Sequence, residues 1–384
     1  MSNFVVIGNV SDDPFAIDIG YMCGQAQEIS DLISLKVYAN SEFCPRFISD
    51  EHDLDHIGTC LHGKTVVICS SATSMTRGAL AMRTMILARA AKENGAARVI
   101  LVEPDLYFSA QDRGPHRGED EADRPVADLK KFDGQPFTAR LYAELLKVSG
   151  VDVVMTVHNH SSAVQKLFSQ CFDGEFHNLI PSELYADYIR QSDMLRPGAD
   201  GENLVLCSPD SGALPFVNAV YESIGMRKTA RIVMEKERTG ERQVSMSIGR
   251  CSDLSLDEIA GKDVIVLDDM VRTGATIVEC CRLLREGKPR RVCFGVTHFL
   301  SGAEIRENLN SPHIDEILTL NTIPSILNRD SQGRLRKKMV VLKIERWIAG
   351  YLLAYLGQRD AAERNLYSVD MSSKNPRWRP PSRY

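Results

Sequence analysis

The stretch Val264-Ile265-Val266-Leu267-Asp268-Asp269-Met270-Val271-Arg272-Thr273-Gly274-Ala275-Thr276-Ile277 constrains this chain more than any other. Its four leading apolar residues, three of them β-branched, fit a strand buried on both faces of a parallel sheet. Two carboxylates follow, then a short Thr-Gly-Ala-Thr turn, and the residues from Ile277 read as a helix stopped at Gly287. Strand, turn and helix in this order form the unit that open α/β sheets repeat, and such sheets bind ligands beyond the carboxyl ends of their strands.

Adjacent Asp268 and Asp269 can hydrogen-bond two neighbouring sugar hydroxyls or share a divalent cation. Gly274 permits close approach of backbone to a phosphate, and hydroxyls and unpaired N–H groups stand at the helix start. A sugar phosphate fits both halves. The plain structural alternative is a buried strand that ends in a solvated Asp pair, with threonine as a helix cap.

With 384 residues, 43% hydrophobic and 25% charged, the chain is long enough for two domains, each with its own core. A formal net charge of −5 argues against a general nucleic-acid binder. The start, Met1-Ser2-Asn3-Phe4-Val5-Val6-Ile7, lacks the basic and long apolar regions of a signal peptide, and no run approaches a membrane span. A cytoplasmic protein with no membrane partner is expected. The ten cysteines are scattered without a C-x-x-C, as reduced core thiols would be. His52 and His56 have an i, i+4 spacing that could bind a metal, but no third ligand accompanies them, and a solvated face is the simpler reading.

In chain order, a strand is expected over 3–8, a helix over 26–33 and a turn-rich segment over 43–51. Gly63-Lys64 leads into an apolar strand that ends in Ser70-Ser71, then a helix from about Gly78 to Asn94 and a strand at Arg98-Val99-Ile100-Leu101-Val102. Residues 114–136, charged and Gly/Pro-rich, read as an exposed loop. A helix over 138–148 and a strand over 151–157 follow, the strand ending in His158-Asn159-His160. Leu204 to Cys207 is a strand, Ser208-Pro209-Asp210-Ser211-Gly212 a phosphate-sized loop, and Ala213 to Ile224 a helix. Strands at 229–234 and 244–248 are joined by a charged link too polar to pack, a solvated turn or a flap carrying Lys236 and Arg238. The final helix is expected at 346–356 and a polar, loosely ordered tail from 359.

The segment from Gly63 matches the 264–277 stretch and its flanks in order: Gly-Lys, apolar strand, polar loop, helix, Arg-Val, strand. The chain reads as one fold used twice. Ser70-Ser71 stands where the second copy has its Asp pair, so the first copy lacks the sugar-hydroxyl carboxylates.

The Asp268 to Thr276 pattern resembles the phosphoribosyl-pyrophosphate loop of the type I phosphoribosyltransferase fold, and the remaining motifs resemble the ribose-phosphate pyrophosphokinase family over roughly residues 3–356. Ala110-Gln111-Asp112-Arg113 is similar to its nucleotide segment, Val157-His158 with Gln165 and Phe168 to its metal-binding histidine strand, Ser208 to Gly212 to its second metal loop, Lys236-Glu237-Arg238 to its catalytic flap, and Thr297-His298 with Ser301-Gly302 to a further strand end. The resemblance implies an α/β fold of two tandem phosphoribosyltransferase-type domains, each a mostly parallel sheet flanked by helices. The expected boundaries are 1–158 for the first domain, 159–343 for the second, and 344–358 for a final helix packing back on the first, ahead of the 359–384 tail.

It also implies transfer of the diphosphoryl group of ATP to the 1-hydroxyl of ribose 5-phosphate. In that reaction Lys236 and Arg238 would be catalytic. Asp268, Asp269, Thr273, Gly274, Ala275 and Thr276 would bind ribose 5-phosphate, and Phe47, Gln111, Asp112 and Arg113 the nucleotide. His158 and Asp210 would hold magnesium, and the family implies a homo-oligomer, a dimer or hexamer. The chain departs from the family pattern at Ala110, Thr156 and Arg272. These departures keep two other functions open: diphosphoryl transfer to a different 5-phosphorylated ribose, or a catalytically weak regulatory homologue.

Overall fold

The computed structural model describes residues 3–55, 57–71, 75–117, 123–238, 244–358 and 365–370, with the side chains of 236–238, 244, 245 and 329 outside that description. His56 is therefore outside it. The chain divides into two compact units, Met1–Leu179 with Glu345–Ala361, and Ile180–Ile344 with Ala362–Tyr384.

The first unit runs β1 (Phe4–Gly8), α1 (Pro14–Met22), α2 (Ile29–Leu32), β2 (Ile33–Val37), β3 (Phe43–Phe47), β4 (Thr65–Cys69), α3 (Arg77–Glu93), β5 (Arg98–Val102), α4 (Val126–Lys130), α5 (Thr138–Ser149), β6 (Val153–Val157), α6 (Ser162–Cys171) and β7 (Phe176–Leu179). Its main sheet has the order β1-β4-β5-β6-β7, parallel throughout. Apart from the edge strand β7, these strands are near-continuous apolar runs because both faces of a parallel sheet are covered, and Val66, Val67, Ile68 and Cys69 are all fully buried. The unit extends beyond the expected boundary at 158 because β6 pairs with β7, Val154 opposite Phe176 through Val157 opposite Leu179.

Several readings of the first unit differ from the structure. The helix expected over 26–33 is a single turn, α2, and the chain then enters β2. The segment over 43–51, read as turns, begins with β3, paired antiparallel with β2. Helix α1 was not anticipated, although Asp13 caps it by accepting the Phe15 N–H at 3.0 Å and Pro14 opens it. Within the expected 114–136 loop, α4 forms one short helix with no buried residue.

The second unit contains α7 (Ser182–Gln191), β8 (Leu204–Ser208), α8 (Leu214–Ile224), β9 (Ala230–Arg238), β10 (Val244–Ile248), β11 (Asp263–Val271), α9 (Ala275–Glu286), β12 (Arg291–Phe299), α10 (Ala303–Leu309), β13 (Glu316–Leu320), α11 (Arg329–Gln332), β14 (Met339–Lys343) and, beyond α12 (Glu345–Tyr355), β15 (Ser368–Val369). Its eight strands have the order β10-β9-β8-β11-β12-β13-β14-β15. The interior is parallel, with an antiparallel strand at each edge.

The charged link expected from residue 235 is strand as far as Arg238, with Met246 opposite Lys236 and Val244 opposite Arg238; residues 239–243 lie outside the described residues. A polar sequence is compatible with the edge of a sheet, where one row of side chains meets water. In the polar tail, Ser368–Val369 pairs with Lys343 and Leu342 of β14, while 359–364 and 371–384 lie outside the described residues.

Helix α12 belongs to the first unit and is anchored there by polar contacts. Tyr355 OH donates to Glu175 at 2.7 Å, and Arg98 pairs with the same carboxylate at 2.9 Å. Among the described residues, no helix is long and apolar enough to cross a membrane.

Candidate active site

In the second unit, β11 lies inside the sheet between β8 and β12. Its register passes from Asp268 opposite Val296 to Met270 opposite His298. At this end of the strand the side chains take over the backbone donors: the Asp268 carboxylate accepts the Asp269 N–H at 2.9 Å, and the Asp269 carboxylate accepts the Met270 N–H at 2.8 Å. Asp269 is buried and Asp268 half-buried. Burial is the main reason that the Asp268 carboxyl is pushed well above the usual carboxylate range, followed by the charge of Asp269 and, more weakly, that of Asp210.

Asp210 comes from the loop after β8. Its Oδ1 accepts the N–H groups of Gly212 and Ala213 at 3.1 and 3.3 Å, an Asx-type turn that leads the chain into α8. The mutual repulsion of Asp210 and Asp268 and their hard oxygen donors suit a magnesium ion. Among the described residues, no group of three or more His, Cys, Asp and Glu side chains forms a metal-sized cluster.

Gly274 has φ +83° at the cap of α9, and a Cβ there would lie 3.2 Å from Leu309 Cγ and Cδ2. Both constraints favour glycine. The turn is held from α10, where Asn308 Nδ2 donates to the Thr273 carbonyl at 2.8 Å. Thr273, Ala275 and Thr276 are exposed at the start of α9, whose first N–H groups have no partner within the helix. A phosphate can therefore be received by backbone and hydroxyl donors while the two carboxylates meet sugar hydroxyls. Arg272 is exposed in the same turn.

Lys236 and Arg238 are on β9, next to the edge strand β10; their side chains are outside the description. His298, at the end of β12, is buried, with Nδ1 3.0 Å from Thr322 Oγ1, whose own hydroxyl donates to the Thr297 carbonyl. That is a packing role at the strand end.

The other predicted residues belong to the first unit. His158 follows β6 with φ +47°, a left-handed backbone uncommon outside glycine, and donates its N–H to the Leu179 carbonyl at 2.9 Å. Gln111 accepts a 2.5 Å hydrogen bond from Thr138, and Asp112 accepts one from Ser161 at 2.8 Å. Arg113 is exposed, 3.9 Å from Asp128. Phe47 is buried, opposite Ile33 in the β2–β3 pair.

The sequence reading missed Asn308 and Ser161. Ser161 had a local signal, a serine directly before an apolar helix. Asn308 had none, because its partner is 35 residues away.

A buried strand ending in paired carboxylates, a left-handed glycine and a helix start with exposed threonines define a phosphoribosyltransferase-type domain. A family profile described as the phosphoribosyl transferase domain matches residues 182–315. The ribose-phosphate pyrophosphokinase of Haemophilus influenzae is 27% identical over 83% of this chain and 91% of its own length. That of Corynebacterium efficiens is 27% identical over 63% of this chain and 65% of its own, and ribose-phosphate pyrophosphokinase 2 of Saccharomyces cerevisiae is 28% identical over 65% and 67%. The phosphoribosylpyrophosphate synthetase of Mycobacterium smegmatis superposes with a TM-score of 0.67 at 23% identity, covering 93% of this chain and all of that one. The chain is similar to ribose-phosphate pyrophosphokinases over most of its length, its 182–315 segment matches the phosphoribosyl transferase domain, and the superposition shows the two-domain α/β fold.

Proposed function

We propose that this chain is an ATP-dependent ribose-phosphate diphosphokinase, making phosphoribosyl pyrophosphate and AMP. The observation that carries this reading is the intact β11–α9 loop, within a likeness that extends over most of the chain. The 1-hydroxyl oxygen of ribose 5-phosphate attacks the β-phosphorus of ATP, the bond from that phosphorus to the α,β-bridging oxygen breaks, AMP departs with the electron pair, and the hydroxyl proton passes to solvent. Such a transfer depends on in-line placement and relief of charge more than on a covalent nucleophile.

In this reading Thr273 to Thr276 hold the 5-phosphate by N–H and hydroxyl donors, and Asp268 and Asp269 orient the ribose by accepting from its hydroxyls. Lys236 and Arg238 are the cations assigned to the transferring diphosphoryl group, and positive charge there counts for most where water is excluded. Phe47 and Gln111 to Arg113 serve the nucleotide. Asp210 in the second unit and His158 in the first are each offered as a magnesium ligand; the metal, when bound, would neutralise polyphosphate charge. A homo-oligomer in the cytoplasm, with ATP and ribose 5-phosphate as its small-molecule partners, completes the proposal.

The test is to incubate the protein with Mg-ATP and ribose 5-phosphate and follow AMP and phosphoribosyl pyrophosphate by phosphorus NMR. Their equal appearance is expected. ADP in place of AMP would mean a simple kinase, and no turnover with any 5-phosphoribosyl acceptor would remove the catalytic reading.

A further inference from the structure

Ser161 stands where two segments of the first unit meet. It is 6% exposed, directly precedes α6, and accepts the Val164 N–H on its Oγ at 3.3 Å, as an N-cap does. A serine hydroxyl has one proton to donate, and here that proton goes to Asp112 Oδ2 at 2.8 Å. One hydroxyl thus closes α6 and fixes a carboxylate 49 residues away in sequence.

The turn that carries Ser161 is held from several sides. Asn159 Oδ1 accepts the Ser161 N–H at 3.1 Å, the Asn159 N–H donates to Asn178 Oδ1 at 2.7 Å, and Gln165 Nε2 donates to the Asn159 carbonyl at 2.8 Å. His158, with its left-handed backbone, begins the same turn. Because these bonds leave Ser161 little freedom, its hydroxyl sets where the Asp112 carboxylate can lie. A carboxylate accepts hydrogen bonds and repels phosphate, so its counterpart on a nucleotide is a donor: a ribose hydroxyl or the amino group of the base.

We infer that Ser161 is a positioning residue for the nucleotide, holding Asp112 to receive the nucleoside part of ATP and tying that segment to the His158 turn. This role rests on the nucleotide reading of Gln111 to Arg113.

Three variants separate it from simple helix capping. Ser161→Thr keeps acceptor and donor. Ser161→Asp keeps the capping acceptor but has no proton to give and sets a second carboxylate against Asp112. Ser161→Ala removes both functions. Mg-ATP affinity is read by calorimetry, KM for ATP and for ribose 5-phosphate by initial rates, and folding by thermal melting. Ser161→Thr is expected within about twofold of wild type, since both hydroxyl functions survive. The Asp and Ala variants should bind ATP about tenfold more weakly, the loss of one hydrogen bond to a charged group. Their KM for ribose 5-phosphate should stay within about twofold, which a general loss of folding would not allow.

ATP affinity unchanged in Ser161→Asp would reduce Ser161 to a cap and overturn the role. A wild-type protein that binds ATP but forms no AMP would instead count against the proposed reaction, with the affinity series still deciding on Ser161. A wild-type protein that does not bind ATP would overturn the positioning role.

Discussion

Asn308 Nδ2 donates to the Thr273 carbonyl at 2.8 Å, so the turn between β11 and α9 is held by the last turn of α10. The bond fixes the backbone of Thr273, to which the proposed function gives the 5-phosphate. Asn308→Ala is expected to raise KM for ribose 5-phosphate about three- to tenfold, the range of one lost hydrogen bond, and to leave KM for ATP and kcat close to wild type. Initial rates against each substrate in turn check this. Equal increases in both KM values would mean that the loop is held elsewhere.

This division of labour also explains what could be read from the sequence. The carboxylates, the glycine and the helix start of the loop lie within ten residues of chain, and the spacing alone shows them. Strands such as β4, β5, β8 and β11 were visible for a similar reason, since burial on two faces demands an unbroken apolar run such as Val264-Ile265-Val266-Leu267, whereas β7, β13 and β14 were not read. The β2–β3 ribbon was not visible, because only Ile33 and Phe47 of its ten residues are buried and it lacks a clean alternation. Asn308 and Ser161 were missed because each acts on a residue far away in sequence, which tertiary packing decides.

Gly274 faces two separate obstacles to replacement. Its φ of +83° is unfavourable for any L-residue, and a Cβ would press on Leu309 at 3.2 Å. Gly274→Ala is expected to cost about 1–3 kcal/mol of stability and to weaken ribose 5-phosphate binding. Adding Leu309→Ala relieves the contact but not the backbone strain, so the two substitutions should combine to less than the sum of their separate losses. Thermal or urea unfolding of both single variants and the double variant measures this coupling. Strict additivity would mean that the contact is of no consequence.

Asp268 is a carboxyl that its surroundings disfavour in the ionised form. Burial, and then the neighbouring charges of Asp269 and Asp210, raise its folded-state pKa above the ordinary value of an aspartate. A raised carboxyl pKa means that its contribution is fully present at acid pH and lost as pH rises from the ordinary carboxylate range upward. Asp268→Asn should therefore melt higher than wild type at pH 8, by on the order of 1–2 kcal/mol, with the gap closing toward pH 4. The same variant should lose most AMP formation, since an amide is a weaker acceptor for the ribose hydroxyls. A melting gap that did not change with pH would show that the carboxyl is not strained by its surroundings.

Glu103 allows the same sign to be tested away from the loop. It is fully buried in the first unit, where its carboxylate accepts the Tyr107 N–H at 2.7 Å and the Tyr142 hydroxyl at 2.9 Å. Burial outweighs these bonds and pushes its pKa from 4.5 up to about 8. Its contribution to stability is thus present below about pH 4.5 and is lost as pH rises through about 8. Glu103→Gln stays neutral and keeps an acceptor for both partners, so it should match wild type near pH 4.5 and exceed it by a few kcal/mol above pH 8. Glu103→Leu, which leaves the Tyr107 N–H and Tyr142 hydroxyl without their acceptor, should be less stable than Glu103→Gln at every pH. Melting curves of the three proteins from pH 4.5 to 9 test this. A wild-type curve parallel to that of Glu103→Gln would mean that Glu103 is ionised throughout, with its two hydrogen bonds outweighing its burial.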